Sequence, residues 1–115
     1  MSKGFILVAE EDIGVRRFAR ALVDIKTGYP TDECETSDEL GRRLEKGDED
    51  LALVITNNLD IVRKYAPNSK VPFLLMSGQY TEKEAKDAGA YGLIPKPFTQ
   101  RQILGVVENA LERRV

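Results

Sequence analysis

The chain contains no histidine and no tryptophan, and Cys34 is its single cysteine. Without histidine the usual general base and the commonest metal ligand are missing. Ser-His-Asp and Cys-His catalysis within one chain are excluded. One cysteine allows no internal disulfide and no cysteine-based zinc site. No apolar run is long enough to span a membrane, and Ser2-Lys3-Gly4 leads into a short apolar stretch that soon meets Glu10, which is not a signal-peptide pattern. A reducing cytoplasm is the expected setting. Basic residues are not gathered into a stripe. The 17 Lys and Arg are scattered among 19 Asp and Glu, for a net charge of −2. Direct nucleic-acid binding is not expected. The pairs Arg16-Arg17, Arg42-Arg43 and Arg113-Arg114 read as solvated helix faces.

What is present is an alternation. At 115 residues the chain is expected to be one domain, residues 1–115, with a real core. Phe5 to Ala9 reads as a buried strand, and Val15, Phe18, Ala19, Leu22 and Val23 follow at helical spacing up to Gly28 and Pro30. Thr31 to Glu35 is a polar strand suited to a sheet edge. Thr36-Ser37-Asp38-Glu39 is a capping-box pattern opening a second helix that ends at Gly47. Leu51 to Thr56 is a third strand. Leu59 to Tyr65 holds about two turns of helix before Pro67. Val71 to Met76 is a fourth strand. Thr81-Glu82-Lys83-Glu84 caps a helix that Gly89 closes. Tyr91 to Ile94 is a fifth strand, and Thr99-Gln100-Arg101-Gln102 caps a last helix through Leu111. Five such units predict an α/β fold: a doubly wound, flavodoxin-like five-stranded parallel sheet, (β-α)5, with a shortened third helix. Ligands in that arrangement sit at the carboxyl ends of the strands, near the switch point.

Chemistry-bearing residues stand at those strand ends: Glu10-Glu11, Asn57, Ser77 and Lys96. An acidic pair, a hydroxyl and a lysine at one sheet edge suit a pocket that handles a phosphoryl group. Two adjacent carboxylates invite a hard cation such as magnesium, or they lie near a helix start where the dipole favours them. Asp12 suits a helix N-cap. Lys96 by itself reads as an ion pair with Glu10 or Glu11. Phe18, Phe73 and Phe98 read as core.

The order and spacing of these residues, with Lys96-Pro97-Phe98-Thr99 as the most specific local match, resemble the receiver domain of two-component response regulators. The resemblance covers nearly the whole chain and is weakest from Asn57 to Ser69. It implies that Glu10 and Glu11 match the magnesium-holding acids, Ser77 the hydroxyl that contacts the phosphoryl group, and Lys96 the lysine that pairs with it, placed by a cis Lys96-Pro97 bond. It also implies that Asn57 stands where the family carries the phosphoacceptor aspartate. A carboxamide is a very poor nucleophile, and its neutrality leaves magnesium binding weak or lost. The segment after Asn57 is roughly ten residues shorter than the family norm, about 15 Å if helical. Leu93 stands where active receivers often carry a switching aromatic, and Tyr91 and Tyr80 do not fit that place.

The expectation is a pseudo-receiver: a phosphorelay signalling domain, not an enzyme, acting through protein–protein contacts of its last two helices and fifth strand. Partners would be a histidine kinase, an output domain or another receiver. No output domain is expected within this chain, which would be a monomer or weak homodimer. An exposed apolar patch including Leu93, Ile94 or Ile103 would serve docking. Two alternatives stand beside it: a receiver phosphorylated on Asp60, Glu10 or Glu11, and a small-ligand binder on the same scaffold, which no glycine-rich phosphate loop supports.

Overall fold

The computed structural model describes residues 4–113; the side chains of the Arg113-Arg114 pair lie outside the described residues. The chain runs β1 (Phe5–Ala9), α1 (Ile13–Thr27), β2 (Thr31–Cys34), α2 (Ser37–Lys46), β3 (Leu51–Thr56), α3 (Leu59–Tyr65), β4 (Phe73–Ser77), α4 (Glu82–Asp87), β5 (Gly92–Pro95) and α5 (Gln100–Arg113), with a 3-10 turn Ala66–Asn68 after α3. All strand pairs are parallel, in the order β2-β1-β3-β4-β5. The polar strand β2 lies at an edge, as its composition requires. The order reverses between β1 and β3, which opens a crevice at their carboxyl ends.

Alternating side chains serve the two faces of the sheet. Ile6, Val8, Leu53, Ile55, Leu74, Met76 and Ile94 pack with Ala19 and Val23 of α1 and with Ile103, Val107 and Ala110 of α5. Leu7, Ala9, Val54, Phe73 and Leu75 pack on the other face with Leu40, Leu59, Val62 and Ala85. Every residue of β3 and β4 is buried, which explains their unbroken apolar sequences.

Local signals set most helix ends. Asp12 caps α1, its side chain accepting from the Val15 amide at 3.0 Å. Gly28 closes α1 at φ 76°, a left-handed conformation suited to glycine. Thr81 and Glu84 form a full capping box, and Thr99 and Gln102 exchange the same pair of bonds at α5. Thr36 caps α2 by accepting from the Glu39 amide, but the Glu39 carboxylate turns instead to the thiol of Cys34.

Arg16, Phe18, Ile94 and Ile103 depart from the sequence expectation. Arg16 is buried at 2% exposure rather than solvated. Phe18 is 54% exposed rather than core, its ring stacked on half-buried Phe98 at 5.9 Å between centroids. Ile94 and Ile103 are fully buried, so neither contributes to an exposed patch; Leu93 is half-buried against the core.

Candidate functional site

The five sequence-selected residues converge on one end of the sheet, but they divide into two groups. Glu10 continues the Ile6–Val8 side of β1 and is 2% exposed. Its Oε1 accepts from Lys96 Nζ at 2.6 Å, its Oε2 from the Asp12 amide at 2.9 Å, and its carbonyl from Arg16 Nη1 at 2.7 Å. Glu11 continues the Leu7–Ala9 side and is exposed. It lines a polar cleft of about 210 Å3 with Asn57, Asn58, Leu59, Asp60, Gln79 and Tyr80. The adjacent acids therefore do not act as a pair. One is closed into an ion pair and the other faces the cleft.

Asn57 follows β3 directly, and its amide donates to the Ala9 carbonyl at 3.3 Å, extending the β1–β3 ladder. Its neighbour Asn58 caps α3, accepting from Ile61 N at 3.0 Å while its Nδ2 donates to Ser37 Oγ at 2.7 Å. Asp60 therefore does not cap. Its side chain is 91% exposed, 3.6 Å from Arg63.

Ser77 and Lys96 meet through backbone and turn bonds. The Lys96 amide donates to the Ser77 carbonyl at 3.1 Å, and Ser77 Oγ accepts from the Gln79 amide at 2.9 Å. Gly78 permits this closeness: a Cβ there would lie 2.7 Å from the Lys96 carbonyl oxygen. The Lys96-Pro97 bond is cis, as the resemblance implied.

Behind the site lies a charge chain. Arg16 Nε meets Glu33 Oε2 at 3.1 Å, and Arg20 Nη1 meets Glu33 Oε1 at 2.5 Å. Arg20 foremost, then Arg16, holds the Glu33 carboxyl below its ordinary value against the opposing effect of burial. The network ties edge strand β2 to α1 and, through Arg16, to the end of β1. Arg16 escaped the sequence reading, although its spacing to Ala19 and Val23 places it on the buried stripe of α1.

The donor set does not suit a magnesium ion well. A tight site needs several charged or polar oxygens free to converge on the ion. Glu10 is engaged by Lys96 and an amide, so Glu11 supplies one carboxylate and Asn57 a neutral carbonyl. Among the described residues no three Asp, Glu, His or Cys side chains come together.

Comparison with known proteins agrees with the geometry. No family model matches the chain. The DNA-binding transcriptional regulator NtrC of Rhizobium meliloti is 30% identical over 122 residues, covering 96% of this chain and 25% of that protein. The regulatory protein VirG of Rhizobium rhizogenes is 30% identical over 118 residues, covering 95% of this chain and 48% of that one. The chain thus spans between a quarter and a half of these relatives. The NtrC alignment is longer than the 115-residue chain, so the relative carries residues with no counterpart here. Among solved structures, a response regulator receiver domain protein from Clostridium thermocellum superposes with TM-score 0.84 at 20% identity, covering 96% of each chain. The beryllofluoride-activated NtrC4 receiver domain dimer superposes with TM-score 0.80 at 17% identity over 96% of this chain and 98% of that one. The chain has the receiver fold, and along nearly its whole length it is similar in sequence to response regulators.

Proposed function

We propose that this chain is a receiver domain that signals by binding a protein partner and does not accept a phosphoryl group at position 57. The observation that carries the reading is the pairing of a neutral Asn57 in the cleft with a closed Glu10–Lys96 ion pair at 2.6 Å. Accepting a phosphoryl group needs an anionic oxygen to attack and a nearby cation to face the charge that develops. Asn57 offers no anion. Lys96 is held on Glu10, and Ser77 Oγ is held on the turn at Gln79. Magnesium binding at Glu10 and Glu11 is weak or lost on this reading, and the domain is not itself an enzyme.

The partner is a histidine kinase, an output domain or another receiver, in a two-component or phosphorelay setting. The α4–β5–α5 face keeps a groove bordered by Glu82, Lys86, Tyr91, Leu93, Val106 and Asn109 that suits such a contact. Tyr91 and Leu93 sit there, away from Ser77, so the aromatic relay of active receivers is absent from this reading. No helix among the described residues is long and apolar enough to cross a membrane, which is compatible with a cytoplasmic domain.

The test is intact mass after incubation with acetyl phosphate and magnesium, for the native chain beside Asn57→Asp. No adduct on the native chain, with an adduct on the variant, is the expected result. An adduct on the native chain overturns the reading. Glu11, the free carboxylate lining the cleft beside Asn57, is then the first position to map, followed by Asp60 at its rim.

A further inference from the structure

Helix α1 presents an apolar stripe to water as well as one to the core. Arg16, Ala19 and Val23 form its buried side. On the opposite side Gly14, Phe18, Ala21 and Ile25 are all exposed. Phe18 is 54% and Ile25 77% exposed, and with Ile13 at 51% they are the exposed large hydrophobic residues of the described chain. The steps of four, three and four residues are the heptad spacing of a helix that packs against another helix. At about 100° per residue the four positions fall within about 60° of one another. Scattered exposed apolar residues need no explanation, but an aligned set along one helix does.

The flanks of this stripe say what would cover it. Half-buried Val15 and Leu22 run along one side. Arg17 and Asp24 run along the other, both exposed and both without a side-chain hydrogen bond or ion pair among the described residues. They are seven residues apart, so they occupy equivalent positions in successive heptads with opposite sign. In an antiparallel pair of identical helices those flanks meet. Arg17 then faces the partner's Asp24, and two-fold symmetry repeats the pair. In a parallel pair each would face the apolar flank instead. A shallow groove of about 360 Å3 along the charged flank, bordered by Arg17, Arg20, Ala21, Asp24, Ile25 and Thr31, offers holes for the partner's side chains.

We propose that this face is where a second copy of the chain docks, α1 against α1, antiparallel. The expected dimer is weak. A single pair of fifteen-residue helices buries less than the roughly 800 Å2 per partner of a standard interface, which points to a dissociation constant on the order of 100 μM. The inference is independent of whether the cleft accepts a phosphoryl group, because none of Gly14, Phe18, Ala21 and Ile25 lines it.

Sedimentation equilibrium of the 115-residue chain between about 10 μM and about 1 mM brackets that constant. A reversible monomer–dimer equilibrium is expected. Ile25→Glu should weaken it by about tenfold or more, as should Arg17→Asp or Asp24→Arg alone. The double variant Arg17→Asp/Asp24→Arg should return to within about threefold of the native constant, because the antiparallel charge pairs are restored with their signs exchanged. Circular dichroism checks that each variant is folded, and Ala21→Arg replaces Ile25→Glu if that one is not. A monomer throughout the range overturns the proposal. So does a dimer indifferent to Ile25→Glu, or a double variant no better than the singles, which would assign the stripe to a different partner such as another protein's helix.

Discussion

Removing Lys96 should cost more stability than removing the charge of its partner. Glu10 is 2% exposed and Lys96 29%, with 2.6 Å between Nζ and Oε1. At an effective dielectric of about 20, charges that close attract by roughly 6 kcal/mol. Desolvating the carboxylate cancels several kcal/mol of that, so the pair itself is a modest net contributor. Lys96→Met removes the attraction and leaves the desolvation. Glu10 retains the Asp12 amide but has no cation, and the loss should be about 3 kcal/mol. Glu10→Gln removes the buried charge itself. The amide oxygen can still accept from Asp12, and Lys96, already partly in water, extends into solvent, for a loss of about 1 kcal/mol. The double variant Glu10→Gln/Lys96→Met should therefore be more stable than Lys96→Met alone. Urea denaturation followed by far-ultraviolet circular dichroism measures all three, the chain having no tryptophan to report by fluorescence. If Lys96→Met is no more destabilising than Glu10→Gln, the reasoning from burial fails.

Arg16→Met should cost about 2–3 kcal/mol, because it orphans the Glu10 carbonyl and removes one cation from Glu33, whereas Arg17→Ala should stay within about 0.5 kcal/mol in the same titration. Acid should destabilise the fold through Glu33 and Asp32, whose carboxyls Arg20 and Arg43 respectively hold below their ordinary values of 4.5 and 3.8. Above about pH 4.5 both states are ionised and the full contribution is present; below it the unfolded chain binds protons first, so the thermal midpoint falls with pH, and Glu33→Gln should flatten that fall. Cys34 is fully buried, and burial foremost, then the charge of Glu39, pushes its thiol up to about 11; iodoacetamide at pH 8 should label it at least about 100-fold more slowly in the native than in the urea-unfolded chain.

The sheet was legible because its signals are local. Four apolar runs and the polar Thr31 to Glu35, with Gly, Pro or capping residues near their ends, state strand and helix ends without reference to the rest of the chain. The strand-end residues were legible as a set for the same reason. What sequence could not separate is which way neighbours point. Arg16 and Arg17 form a pair on paper, but about 100° of helix rotation puts the first on the Ala19–Val23 stripe and the second in water. Phe18 was assigned to the core through its spacing to Val15 and Leu22, yet the centre of the buried face is Arg16, Ala19 and Val23, and Phe18 lies outside it. Glu10 and Glu11 divide through the twofold alternation of the strand they extend. One follows Ile6 and Val8 under α1 and α5, the other follows Leu7 and Ala9 toward the cleft. The period was available in the sequence; the position of Lys96 on one side and not the other was not.

That division gives the acetyl phosphate test a second reading. An aspartate at position 57 would restore a nucleophile, but the cation it needs is held across the strand end by Glu10. Drawing Lys96 off Glu10 forfeits about the same 3 kcal/mol as deleting it, which the attraction to the new anion must offset. The rate at which Asn57→Asp takes up a phosphoryl group therefore measures the Glu10–Lys96 pair as much as the new carboxylate. On the function proposed here, Asn57 and the closed ion pair are two parts of one change: with no anion at position 57 to attract it, the lysine at the end of β5 is left to the buried glutamate, and the end of the sheet becomes a fixed structural element whose surfaces remain available to a partner.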